Sequence, residues 1–285
     1  MSADHKVESV SLVSKARQPS DAAFADDAAT VYITATGLHG RGVIRLSTKD
    51  GSQKEIHTGA PFVSPQGLVL GHNGDNVYVA DPGAKGNGQI FELPTDTGIP
   101  KPIPGAAGMS PRGMELVNEN GVDVLYFTGQ ESADGRPGVF KLAVAEGAKA
   151  TVIAVGRPFV KPDSIAVSRG GSLYVTDHTM GSSGSVFRIA DGKVVPVIRR
   201  ARLGTPAGIA LTLDDSTLLI SSYQPGNGHA QVLVVDLKTE VKATVTKVIG
   251  MNTYAGGLHR SRNSDSFSWA GLNRVYGVIL KAFGG

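Results

Sequence analysis

The chain has 285 residues, no cysteine and a formal net charge of +3. The lack of cysteine excludes disulfide scaffolds, zinc–cysteine sites and thiol catalysis, and so small a charge, gathered into no basic face, argues against nucleic-acid binding. The 37 glycines and 15 prolines are scattered along the chain, as expected of turns between many short strands.

The chain begins with a polar stretch that has no apolar signal core, and no apolar run reaches the roughly 18 residues needed to span a bilayer. We therefore expect no membrane partner. Two compartments remain open, the cytoplasm or, if a signal peptide has been removed, the periplasm or the exterior. Residues 6–14 then alternate in polarity like an edge strand.

From residue 19 onward one pattern recurs six times: a Pro or small-residue turn, a short apolar run and a β-rich strand. The second copy reads Ser-Pro-Gln-Gly-Leu-Val-Leu at 64–70, followed by Val-Tyr-Val-Ala-Asp at 77–81. The residue that opens each apolar run is called the anchor; the six anchors are Asp21, Gly67, Gly113, Ser164, Gly208 and Gly257. Their spacing of about 44 to 51 residues is the period of propeller blades.

The repeat predicts an all-β, six-bladed β-propeller with four-stranded blades in a single domain that spans residues 1–285. The expected blades are approximately 18–60, 61–106, 107–157, 158–203, 204–251 and 252–283. Because the last copy is long enough for only three strands, the N-terminal strand at 5–14 is expected to complete that blade and remove two sheet edges.

The residues just before the anchors are expected to form a ring where the inner strands enter the central channel. The ring is Ser20, Gln66, Arg112, Asp163, Ala207 and Gly256. Its large polar members on one side and small members on the other suit an asymmetric small ligand. The alternative is that these are solvated turn residues beside proline.

A second polar set follows the next strand of each repeat. Asp81 and Asp177 hold equal places in their repeats and are therefore predicted to cap turns by accepting backbone amides. His178 and Tyr223 are not repeated, so the fold itself does not require them. His178 is a candidate general base, or else a loop histidine in water, and His259 is expected to face the channel.

The densest basic cluster is Arg-Arg-Ala-Arg at 199–202, with no interleaved aromatic residue. We expect it to be a solvated turn between blades rather than a phosphate site.

The motifs Pro-Gln-Gly-Leu-Val-Leu with Val-Tyr-Val-Ala-Asp, and Pro-Asp-Ser-Ile-Ala-Val with Leu-Tyr-Val-Thr-Asp, resemble the superfamily of senescence-marker proteins, gluconolactonases, strictosidine-synthase-like and NHL-repeat proteins. The resemblance covers nearly the whole chain. It implies one divalent cation, Ca²⁺ or Zn²⁺, on the channel axis. Asp163 matches the family's Pro-Asp turn, Asp21 stands beside the place of a first-blade Glu, and Arg112 occupies an expected Asn position.

The resemblance thus implies a hydrolase of a lactone or other small ester, with Asp163 and His178 catalytic and Asp21 and Asp163 as metal ligands. Gln66, Arg112, Tyr223 and His259 are the candidate ligand-binding residues. One alternative is a metal-free propeller that binds a small anion or performs acid–base (lyase or synthase) chemistry; another is a protein-interaction platform. A monomer with a small-molecule partner is expected.

Overall fold

The computed structural model describes residues 12–13, 17–27, 29–178, 183–204, 206–223, 230–238, 242–247, 256–271 and 274–279. These residues form β-strands almost throughout, and helical structure among them is a 3₁₀ turn at Pro104–Ala106. Within these ranges no helix is long and apolar enough to cross a membrane.

The strands of the described residues form six four-stranded sheets. The first sheet contains β2 (Arg17–Phe24), β3 (Thr30–Gly37), β4 (Gly40–Ser47) and β5 (Gln53–Thr58). The second contains β6 (Gly67–Leu70), β7 (Asn76–Asp81), β8 (Gln89–Pro94) and β9 (Lys101–Pro102). The third contains β10 (Met114–Glu119), β11 (Val122–Gln130), β12 (Pro137–Ala143) and β13 (Thr151–Val155).

The fourth sheet contains β14 (Pro162–Val167), β15 (Leu173–His178), β16 (Ser183–Ala190) and β17 (Lys193–Arg202). The fifth contains β18 (Ile209–Leu211), β19 (Thr217–Tyr223), β20 (Ala230–Asp236) and β21 (Lys242–Lys247). The sixth contains β22 (Leu258–Arg260), β23 (Ser266–Ala270), β24 (Arg274–Ile279) and β1 (Leu12–Val13).

Every sheet is antiparallel and keeps chain order, except that β1 adds to the outer edge of the sixth sheet. There Leu12 lies opposite Val275, and Val13 opposite Arg274. The inner strands contact one another in the order β2, β6, β10, β14, β18, β22 and again β2. The prediction of an all-β propeller with four-stranded antiparallel blades is confirmed.

The hydrophobic core consists of separate clusters, each lying between neighbouring sheets. Between the second and third sheets, for example, Met114, Phe127 and Phe140 are fully buried. The β-rich strands of each repeat supply these residues on both faces, because a blade has another blade on either side. Burying each such large side chain contributes about 1.5–3 kcal/mol.

Glycine at the anchors reflects how closely the inner strands approach. A Cβ on Gly113 would overlap the carbonyl oxygen of Asp163 in the next sheet, and a Cβ on Gly257 would overlap the Asp21 carboxylate. The anchors of the first and fourth sheets are instead Asp21 and Ser164, and in both sheets the inner-strand register is irregular at that point. Such bulges re-aim side chains.

Buried hydroxyl groups join neighbouring sheets beside the channel. Thr34 Oγ1 donates to the Gln66 carbonyl at 2.9 Å, and Thr128 Oγ1 to the Asp163 carbonyl at 2.9 Å. Thr176 Oγ1 donates to the Ala207 carbonyl at 2.9 Å, and Ser268 Oγ to the Ala22 carbonyl at 2.8 Å, which links the sixth sheet to the first. The second strand of a sheet thereby fixes the inner strand of the next.

The prediction that residues 199–202 form a turn is wrong. They continue the outer strand β17, because the preceding apolar run at 194–198 is rich in β-branched residues. Arg199, Arg200 and Arg202 are exposed along this strand, as the prediction of a solvated cluster required.

Replacing Gly113 by alanine should lower the free energy of unfolding by about 1–3 kcal/mol, because the new methyl group meets backbone rather than a flexible side chain. Chemical denaturation measures this difference. The matched control is Gly170→Ala, where the added Cβ would have no neighbour within 4 Å. Equal stabilities for the two variants would contradict the close packing described at the channel.

Candidate functional site in the central channel

The channel has an upper mouth, where the inner strands begin, and a lower mouth, where they end. Three side chains of the predicted ring meet at the upper mouth: Gln66, Arg112 and Asp163 line one cavity, together with the anchor Asp21. Its volume is only about 10 Å³, room for roughly one water molecule. Arg112 Nη1 donates to Gln66 Oε1 across 3.3 Å, so these two side chains narrow the opening.

Asp163 is buried in this mouth, and its carboxylate also holds two sheets together. Oδ2 accepts the Ala207 amide of the fifth sheet at 2.5 Å. His178 Nε2 lies 3.2 Å from the same oxygen, yet it has no well-formed hydrogen bond within the described part of the chain. The structure thus brings the two predicted catalytic residues together, with one carboxylate oxygen already engaged by backbone.

The predicted capping roles of Asp81 and Asp177 are confirmed. Asp81 accepts the amides of Val63 and Ser64 at 2.7 and 2.9 Å, and Asp177 accepts that of Lys161 at 2.8 Å. Burial raises the pKa of Asp177 to about 6 although these amide hydrogen bonds favour its anion. Both side chains fix the connections that lead into the inner strands.

Tyr223, the remaining candidate of the second set, ends strand β19. Its side chain lies outside the described part of the structure.

Halfway down the channel, Asp21 and His259 form a buried pair. His259 Nε2 lies 2.8 Å from Asp21 Oδ2, and the carboxylate also accepts the amides of Ala22 and Leu68, both at 2.9 Å. Burial by itself lowers the pKa of His259, but the charge and hydrogen bond of Asp21, helped by Glu115, raise it overall. The pair therefore favours the charged imidazolium.

Glu115 lies near this pair and was not singled out in the sequence. It stands two residues after its anchor, as His259 does, whereas the equivalent positions in the other sheets are Ala23, Val69, Ala166 and Ala210. Burial in the channel raises the pKa of Glu115, against the opposing charges of His259 and Arg260. The signal that could have revealed Glu115 is a charged residue at a repeat position that is apolar in four of the six copies.

Glu115 and His259 open onto a larger cavity at the lower mouth, of about 350 Å³. This volume lies within the range of small-molecule sites. Arg169, Arg260 and Arg262 contribute basic side chains to its wall. Among the cavities lined by described residues, the larger one on the channel therefore lies opposite the end at which the sequence predicted the ligand.

The described residues do not fit the expected divalent cation. They contain no group of three His, Cys, Asp or Glu side chains arranged to hold a metal ion. The two expected ligands, Asp21 and Asp163, already accept backbone amides, and Arg112 lines the same cavity. A hard cation needs about six oxygen ligands, which this donor set does not supply.

Comparison with known proteins identifies the fold. No family model and no curated protein sequence matches the chain. Among solved structures, a gluconolactonase from Xanthomonas campestris is 16% identical with a TM-score of 0.72, and the match covers 96% of this chain and 90% of that one. Virginiamycin B lyase from Staphylococcus aureus is 14% identical with a TM-score of 0.59, and the match covers 98% of this chain and 100% of that one.

A third similar structure is an oligogalacturonate lyase in complex with manganese, 12% identical with a TM-score of 0.52 and covering 95% of this chain and 80% of that one. At these identities the similarities establish the propeller fold and leave the reaction open. They agree with the family resemblance predicted from the repeats at the level of the fold.

The pKa of His259 should be above its ordinary value of 6.5, and Asp21→Asn should lower it by removing the neighbouring charge. NMR titration of the histidine side chains measures both, with the His259 signal assigned by its loss in His259→Gln. Because the folded-state pKa is raised, the stabilisation from protonated His259 is complete below about pH 6.5 and is lost as pH rises through the folded value.

The control is Asp50→Asn, at an exposed aspartate, which should leave the titration of His259 unchanged. A wild-type His259 that titrates at or below 6.5 would contradict the ion pair.

Proposed function

We propose that the protein is an enzyme for small molecules that works in its channel by acid–base catalysis, with His259 and Glu115 transferring protons and Asp21 positioning His259. The observation that carries the proposal is the buried Asp21–His259 pair, 2.8 Å across, facing the same cavity as Glu115. This cavity is large enough for a small substrate, whereas the cavity that the described residues line at the upper mouth has a volume of only about 10 Å³.

The chemistry follows from the two proton sites. Asp21 engages His259 Nε2, so Nδ1 is the ring nitrogen left to accept or give a proton, and the carboxylate holds the ring in place. The raised pKa of Glu115 moves this carboxyl toward the range in which it can donate a proton near neutral pH. One base and one acid on the axis are the minimum for a proton-transfer reaction.

The reaction we propose first is hydrolysis of a lactone or other small ester. His259 in its neutral form, which prevails above its folded-state pKa, removes a proton from water as the water oxygen bonds to the carbonyl carbon, and Asp21 stabilises the imidazolium that results. The bond from that carbon to the ring oxygen then breaks. Glu115 gives its proton to the departing oxygen, and the product is a hydroxy acid. The similarity of the fold to a gluconolactonase supports this choice.

A second candidate is elimination, in which the same histidine removes a proton from carbon and Glu115 protonates the leaving oxygen. The similarity to virginiamycin B lyase favours it. The two reactions differ in product: hydrolysis yields an acid, and elimination yields a carbon–carbon double bond.

For this mechanism we also propose that the sheets act as a closed six-bladed ring, with the N-terminal strand as the fourth strand of the last blade. The pairing of Leu12–Val13 with β24 supports this. So does the hydrogen bond from Ser268 to the Ala22 carbonyl. Closure holds Asp21 of the first sheet against His259 of the last.

Glu115→Gln and His259→Gln should each lower turnover by at least about 100-fold, the usual contribution of a positioned acid or base. The assay follows acid release from D-glucono-δ-lactone with a pH indicator, and absorbance of a new double bond with an unsaturating substrate. Thermal melting establishes that the variants are folded.

The matched control is His178→Gln, at the other carboxylate–histidine pair, which should retain activity. Loss of activity in His178→Gln with retention in His259→Gln would place the chemistry at the upper mouth instead. Absence of both hydrolysis and elimination in the wild-type protein would refute the proposed enzyme.

A further inference from the structure

The wall of the lower cavity carries more positive charge than proton transfer by Glu115 and His259 requires. Arg169, Arg260 and Arg262 line it, against the carboxylates of Asp26 and Glu115. Burial favours the neutral form of Glu115. The three guanidinium groups differ in how far hydrogen bonds and ion pairs within the fold already occupy them.

Arg262 is already used by the fold. Its Nη1 lies 2.9 Å from Asp26 Oδ2 and also donates to the His72 carbonyl. Its Nη2 donates to the Gly71 carbonyl at 2.9 Å and to the Leu70 carbonyl at 3.5 Å. Arg262 thus ties the sixth sheet to the first and second across one side of the mouth, and its charge is neutralised by Asp26.

Arg260 is differently placed. Its Nη1 donates to the carbonyls of Ser261 and Arg262, at 2.7 and 3.1 Å, which fixes the guanidinium without neutralising it. Among the described residues no carboxylate lies within ion-pair distance of Arg260. Arg260 and Glu115 line the same cavity, and the charge of Arg260 acts on Glu115.

We propose that the lower cavity binds the carboxylate of a small organic anion through Arg260. Nη1 is held by the two carbonyls. Nη2 and Nε have no hydrogen-bond partner among the described residues and can donate side by side to the two oxygens of one carboxylate. Such paired, charge-assisted bonds are the strongest that arginine makes. Arg169, exposed at the rim, adds positive charge at the approach.

One consequence of the anion site, the class of substrate, rests on the proposed function. With the carboxylate at Arg260, the rest of the ligand points toward Glu115 and His259, so lactones or esters that also carry a carboxylate should be turned over faster than uncharged ones such as D-glucono-δ-lactone. Binding itself does not depend on which reaction follows.

The test compares D-gluconate with D-glucitol, which has the same carbon chain and no charge. Isothermal titration calorimetry on the whole chain should show gluconate bound and glucitol bound at least about tenfold more weakly, the typical value of hydrogen bonds to a charged group. Arg260→Gln should remove this preference. Glu115→Gln should keep it, because the variant retains Arg260 and has no carboxylate to repel the ligand.

Arg45→Gln, at an exposed arginine of β4, is the matched control and should bind gluconate as the wild type does. No measurable gluconate binding, equal binding of the two compounds, or a loss of gluconate in Arg112→Gln rather than Arg260→Gln would each overturn the inference. If binding follows Arg260 while Glu115→Gln stays fully active, the anion site stands and the proposed catalytic role fails.

Discussion

The close approach of the inner strands determines which side chains fit around the channel and how its polar groups are satisfied. At Gly113 and Gly257 a single added carbon would overlap the neighbouring sheet, so backbone meets backbone around the upper part of the channel. Polar groups enclosed there must be satisfied locally, because an unmatched buried donor or acceptor costs about 1–3 kcal/mol. The carboxylates of Asp21 and Asp163 meet that need by accepting amides from the following sheets.

Because of this close packing, the residues of the upper channel mainly join the sheets, and the residues proposed for catalysis lie lower in the channel. At the upper mouth the described residues enclose room for about one water molecule, and their polar side chains are largely engaged with each other or with backbone. Further down, the chain breaks its repeat at Glu115 and His259, and a cavity opens below them. Asp21 serves both ends, since it joins two sheets and holds His259 in place. That dual use gives the proposed site its rigidity.

The repeat predicted the propeller because its spacing and turn residues are local properties of the chain. The caps at Asp81 and Asp177 were predictable for the same reason, and the convergence of Gln66, Arg112 and Asp163 followed from topology. The sequence did not predict that the larger described cavity lies at the lower mouth. Cavity volume depends on how the strands spread and on long side chains such as Arg262. The strand at 199–202 could not be predicted from its own residues, because arginines do not favour strands; it continues the β-branched run before it.

A crystal structure of the protein with D-gluconate would show whether the ligand meets the acid and the base in the lower cavity. We expect the carboxylate of gluconate against Arg260 and the far end of its carbon chain beside Glu115 and His259. Gluconate bound at the upper mouth, against Arg112 and Asp163, would contradict this expectation.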